Sequence, residues 1–190
     1  MDIEYILQNP ELPTGCESTS LAIVLRYLGY DVDKMIIANN YLPKGQYGIN
    51  DPEYFFVGDP TSEHGFGCYA PAIEYAANCY LKDNDSDYFA KDISGSDMKC
   101  LMKLIYKNRT PVIFWGSISM TPITEGVTWN INGRNVTWRS NNHCLVLIGW
   151  DETSYIFSDP LIGITEYQKD IVEARYEENK RNCVIIAKEE

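Results

Sequence analysis

The sequence has little histidine, no closely paired cysteines and no long hydrophobic run, and each shortage removes a class of function. Histidine occurs only as His64 and His143 in 190 residues. The six cysteines stand at 16, 68, 79, 100, 144 and 183. None forms a Cys-x-x-Cys pair, which argues against a zinc ribbon or a thioredoxin-like motif. The even count permits disulfides, but scatter through apolar segments reads as buried free thiols and leans towards a reducing compartment. No stretch approaches the roughly 18 apolar residues of a membrane-spanning helix, so no membrane insertion is expected. Basic clusters are missing as well, and the formal net charge is −11. Such a chain gains no counterion release from nucleic acid and no attraction to anionic lipid, so neither is expected as a partner. The start, Met1-Asp2-Ile3-Glu4, lacks the basic region and apolar run of a secretion signal. That fits a cytoplasmic chain, or an exported one whose leader has been removed. Oligomeric state leaves no mark.

What is present is ordinary globular material, 45% hydrophobic and 23% charged, with 14 tyrosines suited to half-buried sheet faces or to a binding cleft. No repeat or linker divides the chain, and the length suits one domain over 1–190. The first half reads as helices and the second as strands, which predicts an α+β fold with an N-terminal helical half packed on a C-terminal antiparallel sheet. Leu21, Val24, Leu25 and Leu28 form one apolar stripe. With Pro13-Thr14-Gly15 before it and Gly29 after, the helix should begin near Cys16. Asp33 can cap a short helix through about Tyr41. Residues 43–67, rich in Gly and Pro, read as a long loop. Helices follow over 69–81 and after a Ser96 cap. Strands are expected over 111–116, 143–149, 155–159 and 183–187, and a helix over 167–178. Residues 127–138 should form a hairpin about Asn132-Gly133.

Cys16 draws attention by its place at a helix N-terminus, where free N–H groups and the helix dipole favour a thiolate. The bland alternative is a cysteine packed at a helix start. Cys68, after Gly65-Phe66-Gly67, is the rival; Cys144 should face the other side of the sheet from His143. His143 opens a rigid apolar strand, whereas His64 lies in the loop. If strands 143–149 and 155–159 pair about a turn centred on Asp151, Asp159 falls directly opposite His143, with Cβ atoms about 5 Å apart. A carboxylate so placed can fix an imidazole tautomer. Otherwise Asp159-Pro160 simply ends a strand.

The segment Leu12-Pro-Thr-Gly-Cys-Glu-Ser-Thr-Ser-Leu-Ala-Ile-Val-Leu-Arg-Tyr-Leu-Gly-Tyr30 resembles the nucleophile segment of papain-like peptidases related to the bacterial double-glycine leader peptidases. His143-Cys-Leu-Val-Leu-Ile-Gly-Trp-Asp151, Asp159-Pro160 and Gly65-Phe-Gly-Cys-Tyr-Ala-Pro71 are similar to further segments of that family. The resemblance implies a papain-like fold with Cys16 as nucleophile, His143 as general base and Asp159 as orienting acid. It also implies Gln8, otherwise just a polar residue of a short N-terminal strand, as an oxyanion donor beside the Cys16 backbone N–H. Such a site cleaves a peptide or peptide-like bond through a thioester and needs no metal or organic cofactor. Its partner would be a peptide or protein substrate, and cleavage after Gly-Gly does not carry over. The 43–67 loop and the Trp129–Trp138 hairpin would wall the cleft. Two alternatives remain: an acyltransferase or transpeptidase in which an amine replaces water, and a catalytically silent peptide-binding module.

Overall fold

A computed structural model describes residues 1–188. The first long helix, α1 (Cys16–Tyr27), begins at the expected thiol, and Gly29 ends it with φ +97°. Every residue from Cys16 to Leu25 is buried, so α1 is a central helix and not a surface one with a single apolar stripe. Asp33 caps α2 (Lys34–Ile36) by accepting from the Met35 N–H at 2.7 Å, and a wider turn over Ile37–Tyr41 completes that helix. The 43–67 loop holds only a two-residue parallel ladder, β1 (Lys44–Gly45) with β2 (Phe56–Val57). Next come α3 (Ala70–Asp83), β3 (Tyr88–Asp92), α4 (Met98–Asn108) and β4 (Val112–Ser117). The cap of α4 is Asp97 and not Ser96, because the Asp97 carboxylate reaches the Cys100 N–H at 2.7 Å while the Ser96 hydroxyl donates to the Ile93 carbonyl. The chain continues through β5 (Glu125–Ile131), β6 (Arg134–Arg139), β7 (Asn142–Trp150), β8 (Ser154–Asp159), β9 (Gly163–Gln168), α5 (Lys169–Glu178) and β10 (Cys183–Lys188).

Six strands form one antiparallel sheet in the order β3-β10-β4-β7-β8-β9. The fold is α+β, as expected. Strand β7 is its centre, and its side chains alternate between two layers. Cys144, Val146 and Ile148 face a cluster with Leu21, Leu25 and Ile73 of α1 and α3. Leu145 and Leu147 face Leu101, Ile105, Val172 and Tyr176 of α4 and α5. Each such buried side chain contributes about 1.5–3 kcal/mol, set against the entropy of ordering it. Strands β3 and β9 were not anticipated. Ala90 is the one fully buried residue of β3, and β9 is an edge strand with Ile164 half-exposed, so neither carries a strong apolar signature. The helix expected from 167 starts instead at Lys169, since Tyr167 and Gln168 pair with β8.

The hairpin β5–β6 forms a separate two-stranded sheet. Asn132 and Gly133 both have positive φ, +49° and +87°, the turn that matches strand twist. The hairpin lies against the 43–67 loop. The Trp129 indole donates to the Asn50 carbonyl at 3.2 Å, Arg134 pairs with Asp51, and the rings of Tyr47, Phe66, Trp129 and Trp138 pack together. All six cysteines are free thiols; four are buried, Cys79 is half-buried and Cys100 is exposed.

Candidate active site

Cys16, His143 and Gln8 line one cleft of about 210 Å³, together with Thr14, Glu63, Phe66, Ile118, Trp138, Asn142 and Leu161. Both walls expected from the sequence contribute: Glu63, Gly65 and Phe66 from the loop, Trp138 from the hairpin. Three distant pieces of chain meet here. They are the start of α1, the edge where β7 begins and β8 ends, and the segment before α1.

His143 and Asp159 are each 2% exposed, and Nε2 of the imidazole bonds Asp159 Oδ1 at 2.7 Å. The sequence placed them directly opposite; the register differs. Trp150 pairs with Tyr155 and Gly149 with Ile156, then a bulge at Ile148 brings Leu147 opposite Phe157 and Val146 opposite Ser158. Continued, this sets Asp159 opposite Leu145, so the contact to His143 is diagonal. The turn is longer than expected because Asp151 Oδ1 accepts from the Thr153 and Ser154 N–H groups at 2.8 and 2.7 Å. A displacement of two residues keeps both side chains on one face, which is why the pair still meets. Burial alone would raise the Asp159 pKa. The His143 hydrogen bond and charge, the Leu161 N–H at 2.8 Å and the Tyr167 hydroxyl at 3.4 Å outweigh it and hold the carboxyl below its usual range. With Nε2 turned to the carboxylate, Nδ1 is the imidazole nitrogen left for the cleft.

Cys16 is the first residue of α1 and 7% exposed. Its sulfur accepts from the Cys144 N–H at 3.4 Å. Its thiol hydrogen bond runs to Glu17 Oε2 at 3.3 Å, and not to His143. The lowered thiol pKa expected at a helix N-terminus is overturned. Burial first, then the charge of Glu17, push Cys16 well above an ordinary thiol, and the Cys144 N–H only partly offsets this. The Cys16 backbone N–H, at the first helical position, is among those without an intrahelical acceptor.

Gln8 is buried but sits just before a turn and not in a strand, since Leu12 N–H returns to the Gln8 carbonyl at 2.9 Å. Its Nε2 donates to the Pro13 carbonyl at 2.8 Å, an acceptor that fixes the amide's orientation. The second Nε2 proton is uncommitted. The Gln8 backbone N–H donates to the Pro160 carbonyl at 2.8 Å, tying this segment to the residue after Asp159. Lys34, only 7% exposed, closes the segment from the other side. Its ammonium donates to the carbonyls of Leu7 and Gln8 at 2.5 and 2.8 Å and to Glu11 Oε2 at 2.8 Å.

Of the other candidates, His64 is exposed on the loop, and Cys68 is buried with no place on the cleft wall. Sequence reasoning missed Glu17 and Lys34. A glutamate in a first helical turn reads as a mere complement to the dipole. The available signal was the run Glu17-Ser18-Thr19-Ser20, a polar turn that the structure buries whole. Among the described residues no cluster of His, Cys, Asp or Glu could hold a metal ion, and no helix is long and apolar enough to cross a membrane.

Comparison with known proteins adds a relationship. A family model described as Peptidase_C39 like family matches residues 1–184. The protein YvpB of Bacillus subtilis strain 168, itself uncharacterised, is 32% identical over 166 residues, covering 83% of this chain and 64% of that one. The chain thus spans just under two thirds of that relative. A crystal structure of a candidate C39-like peptidase from Bacillus anthracis superposes with a TM-score of 0.87 at 31% identity, covering 99% of this chain and 96% of that one. The peptidase domain of Streptococcus ComA, a bifunctional ABC transporter of a quorum-sensing pathway, shares the fold at 15% identity, with a TM-score of 0.56 over 98% of both chains.

Proposed function

Because the chain belongs to the C39-like peptidase family, we propose that it is a cysteine peptidase acting through Cys16, His143 and Asp159, with the whole of 1–190 serving as one papain-like domain. The observation that carries this reading is the convergence on one cleft of a thiol, an amide donor and an imidazole whose far nitrogen is held by a buried carboxylate.

The substrate is a peptide or protein chain. The Cys16 proton passes to His143 Nδ1, and the sulfur attacks the scissile carbonyl carbon. The oxyanion that forms is held by the Cys16 backbone N–H and the free Nε2 proton of Gln8. As the intermediate collapses, the C–N bond breaks and the imidazolium gives its proton to the departing amine, leaving a thioester on Cys16. Water then attacks the thioester, losing a proton to Nδ1. The acid leaves, and the sulfur recovers its proton. Asp159 stays ionised throughout and fixes the ring. The Cys144 N–H aimed at the sulfur supports negative charge there. The chemistry uses no metal or organic cofactor.

Digestion of an unfolded polypeptide in heavy-oxygen water, with products read by mass spectrometry, tests the proposal. The wild-type protein should release fragments whose new carboxylates carry the label, and Cys16→Ala should release none. An added primary amine appearing in the products in place of the label would identify a transferase. No cleavage by the wild type, or the same cleavage by Cys16→Ala, overturns the reading and leaves a peptide-binding module.

A further inference from the structure

One carboxyl lies against the sulfur and has no part in the chemistry above. Glu17 is 1% exposed, and both of its oxygens are engaged. Oε2 accepts from the Cys16 thiol at 3.3 Å, and Oε1 accepts from the Cys68 backbone N–H at 2.9 Å. The loop Gly65-Phe66-Gly67-Cys68 is folded onto this carboxyl. Gly67 has φ +139°, and a Cβ there would overlap Glu17 Oε1 and crowd the Trp138 ring. The loop conformation and the missing side chain therefore bring a backbone N–H to Glu17, and the loop then seals it from water.

We infer that Glu17 is a positioning residue that governs ionisation of the Cys16 sulfur: as a carboxylate it holds the thiol protonated, and as a neutral acid it permits the thiolate. The inference rests on Cys16 being the nucleophile. The proton balance is explicit. In the resting state Cys16 S–H donates to the Glu17 carboxylate and His143 is neutral. Formation of the reactive state takes one proton from solvent onto Glu17, while the thiol proton moves to His143 Nδ1. The neutral carboxyl O–H then turns its hydrogen bond to S⁻. Without that uptake, the thiolate and the carboxylate would be two negative charges side by side in a dry site, and each would oppose the other.

The titratable groups that face Glu17 from every side are few. Cys16 is on its own helix, Cys68 and Tyr69 lead into α3, and His143 and Cys144 come from β7. Asp159 of β8 stands behind His143, and Arg139 of β6 acts on the far side of Tyr69. His143 is the one cationic partner acting on Glu17 itself. Burial dominates and raises the Glu17 pKa from 4.5 to about 7, against the Cys68 N–H, its own N–H, the Cys16 thiol and His143, which all lower it. The switch therefore falls in the neutral range.

The test is the rate of iodoacetamide alkylation of Cys16 from pH 5.5 to 9, followed on the Cys16-containing peptide by mass spectrometry. Exposed Cys100 supplies an internal reference in the same sample. In the wild-type protein the Cys16 rate should hold level to about pH 7 and then fall, because the thiol proton stays within the site on His143 while the neutral form of Glu17 is drained. In Glu17→Gln, which keeps an acceptor for the Cys68 N–H and can donate to S⁻, the rate should stay level. The variant should then lead about tenfold at pH 8 and match the wild type at pH 6. A wild-type rate that shows no fall above about pH 7 overturns the inference and needs no variant to do so. So does a Glu17→Gln rate within twofold of wild type across the range. Peptide cleavage that depends on Cys16 but shows neither break nor gap would overturn this inference and spare the peptidase reading. A break and gap without any cleavage would support Glu17's control of the sulfur while removing the peptidase reading.

Discussion

At the scale of single residues, two buried carboxyls that both feel His143 are driven in opposite directions. Asp159 is held below its usual range by His143, while Glu17 is raised to about 7 because burial finds no permanent cation to answer it. The stability consequences follow with opposite signs. A carboxyl raised in the folded state stabilises fully below its unfolded pKa, and that contribution is lost as pH rises through the folded value. For Glu17 the window runs from 4.5 to about 7, and the shift amounts to about 3 kcal/mol. Thermal melts should therefore show wild-type Tm falling between pH 5 and 8 relative to Glu17→Gln, with the two near parity at the acid end. A depressed carboxyl does the reverse: its contribution is present above the unfolded pKa and is lost as pH falls through the folded one. The Tm gap between wild type and Asp159→Asn should accordingly be full at neutral pH and close below about pH 4. The same Asp159→Asn substitution removes the charge that fixes the ring. It should lower kcat/KM for peptide cleavage on the order of 10²–10⁴-fold, a loss that steady-state kinetics would read directly.

At the scale of elements, two glycines with positive φ separate conformational strain from crowding. Gly133 turns the β5–β6 hairpin with open space around it, whereas Gly67 backs onto Glu17 and Trp138. Gly133→Ala should cost about 1 kcal/mol in urea unfolding. Gly67→Ala should cost at least twice as much, because the loop must also leave the carboxyl. Lys34 of α2 offers a second contrast. Lys34→Met leaves two buried carbonyls of the Gln8 segment without their donor, and should cost about 3 kcal/mol and lower kcat more than it raises KM. How much of this was legible depended on the kind of signal. Helix α1 could be read from the breakers on both sides of it, β7 from an unbroken apolar run, and the hairpin from Asn132-Gly133. Edge strands β3 and β9 bury too little to leave a pattern. The bulge at Ile148 is marked only by the glycine after it, Gly149, which does not by itself say where the register shifts. The His143–Asp159 contact was reached through a register wrong by an even number of residues, the one kind of error that preserves the face. Gln8 was visible through family likeness alone. Glu17 was hidden, because one turn of polar residues at a helix start looks solvated unless the sheet that covers it is known.

At the scale of the whole molecule, the site belongs to one end of the sheet's interior strands and not to any segment. Cys16 receives its backbone hydrogen bond from a residue 128 positions later in the chain, across the layer where α1 meets β7. No local unit contains both the sulfur and the imidazole, so the pair should exist only in the globally folded state. In a urea titration, the pH break in Cys16 alkylation should disappear at the same midpoint as the far-UV circular dichroism, as a cooperative transition requires. An alkylation signature lost at lower urea would mean that this end of the sheet opens by itself. The long reach between sulfur and imidazole also sets an order of events at the ribosome. A nascent chain of 140 residues already holds the sulfur, its helix and its glycine cap, yet lacks His143 to receive a proton. The chemistry is thus timed by translation: it can begin only after the stretch from His143 to Asp159 has emerged and taken its place beside a helix made long before.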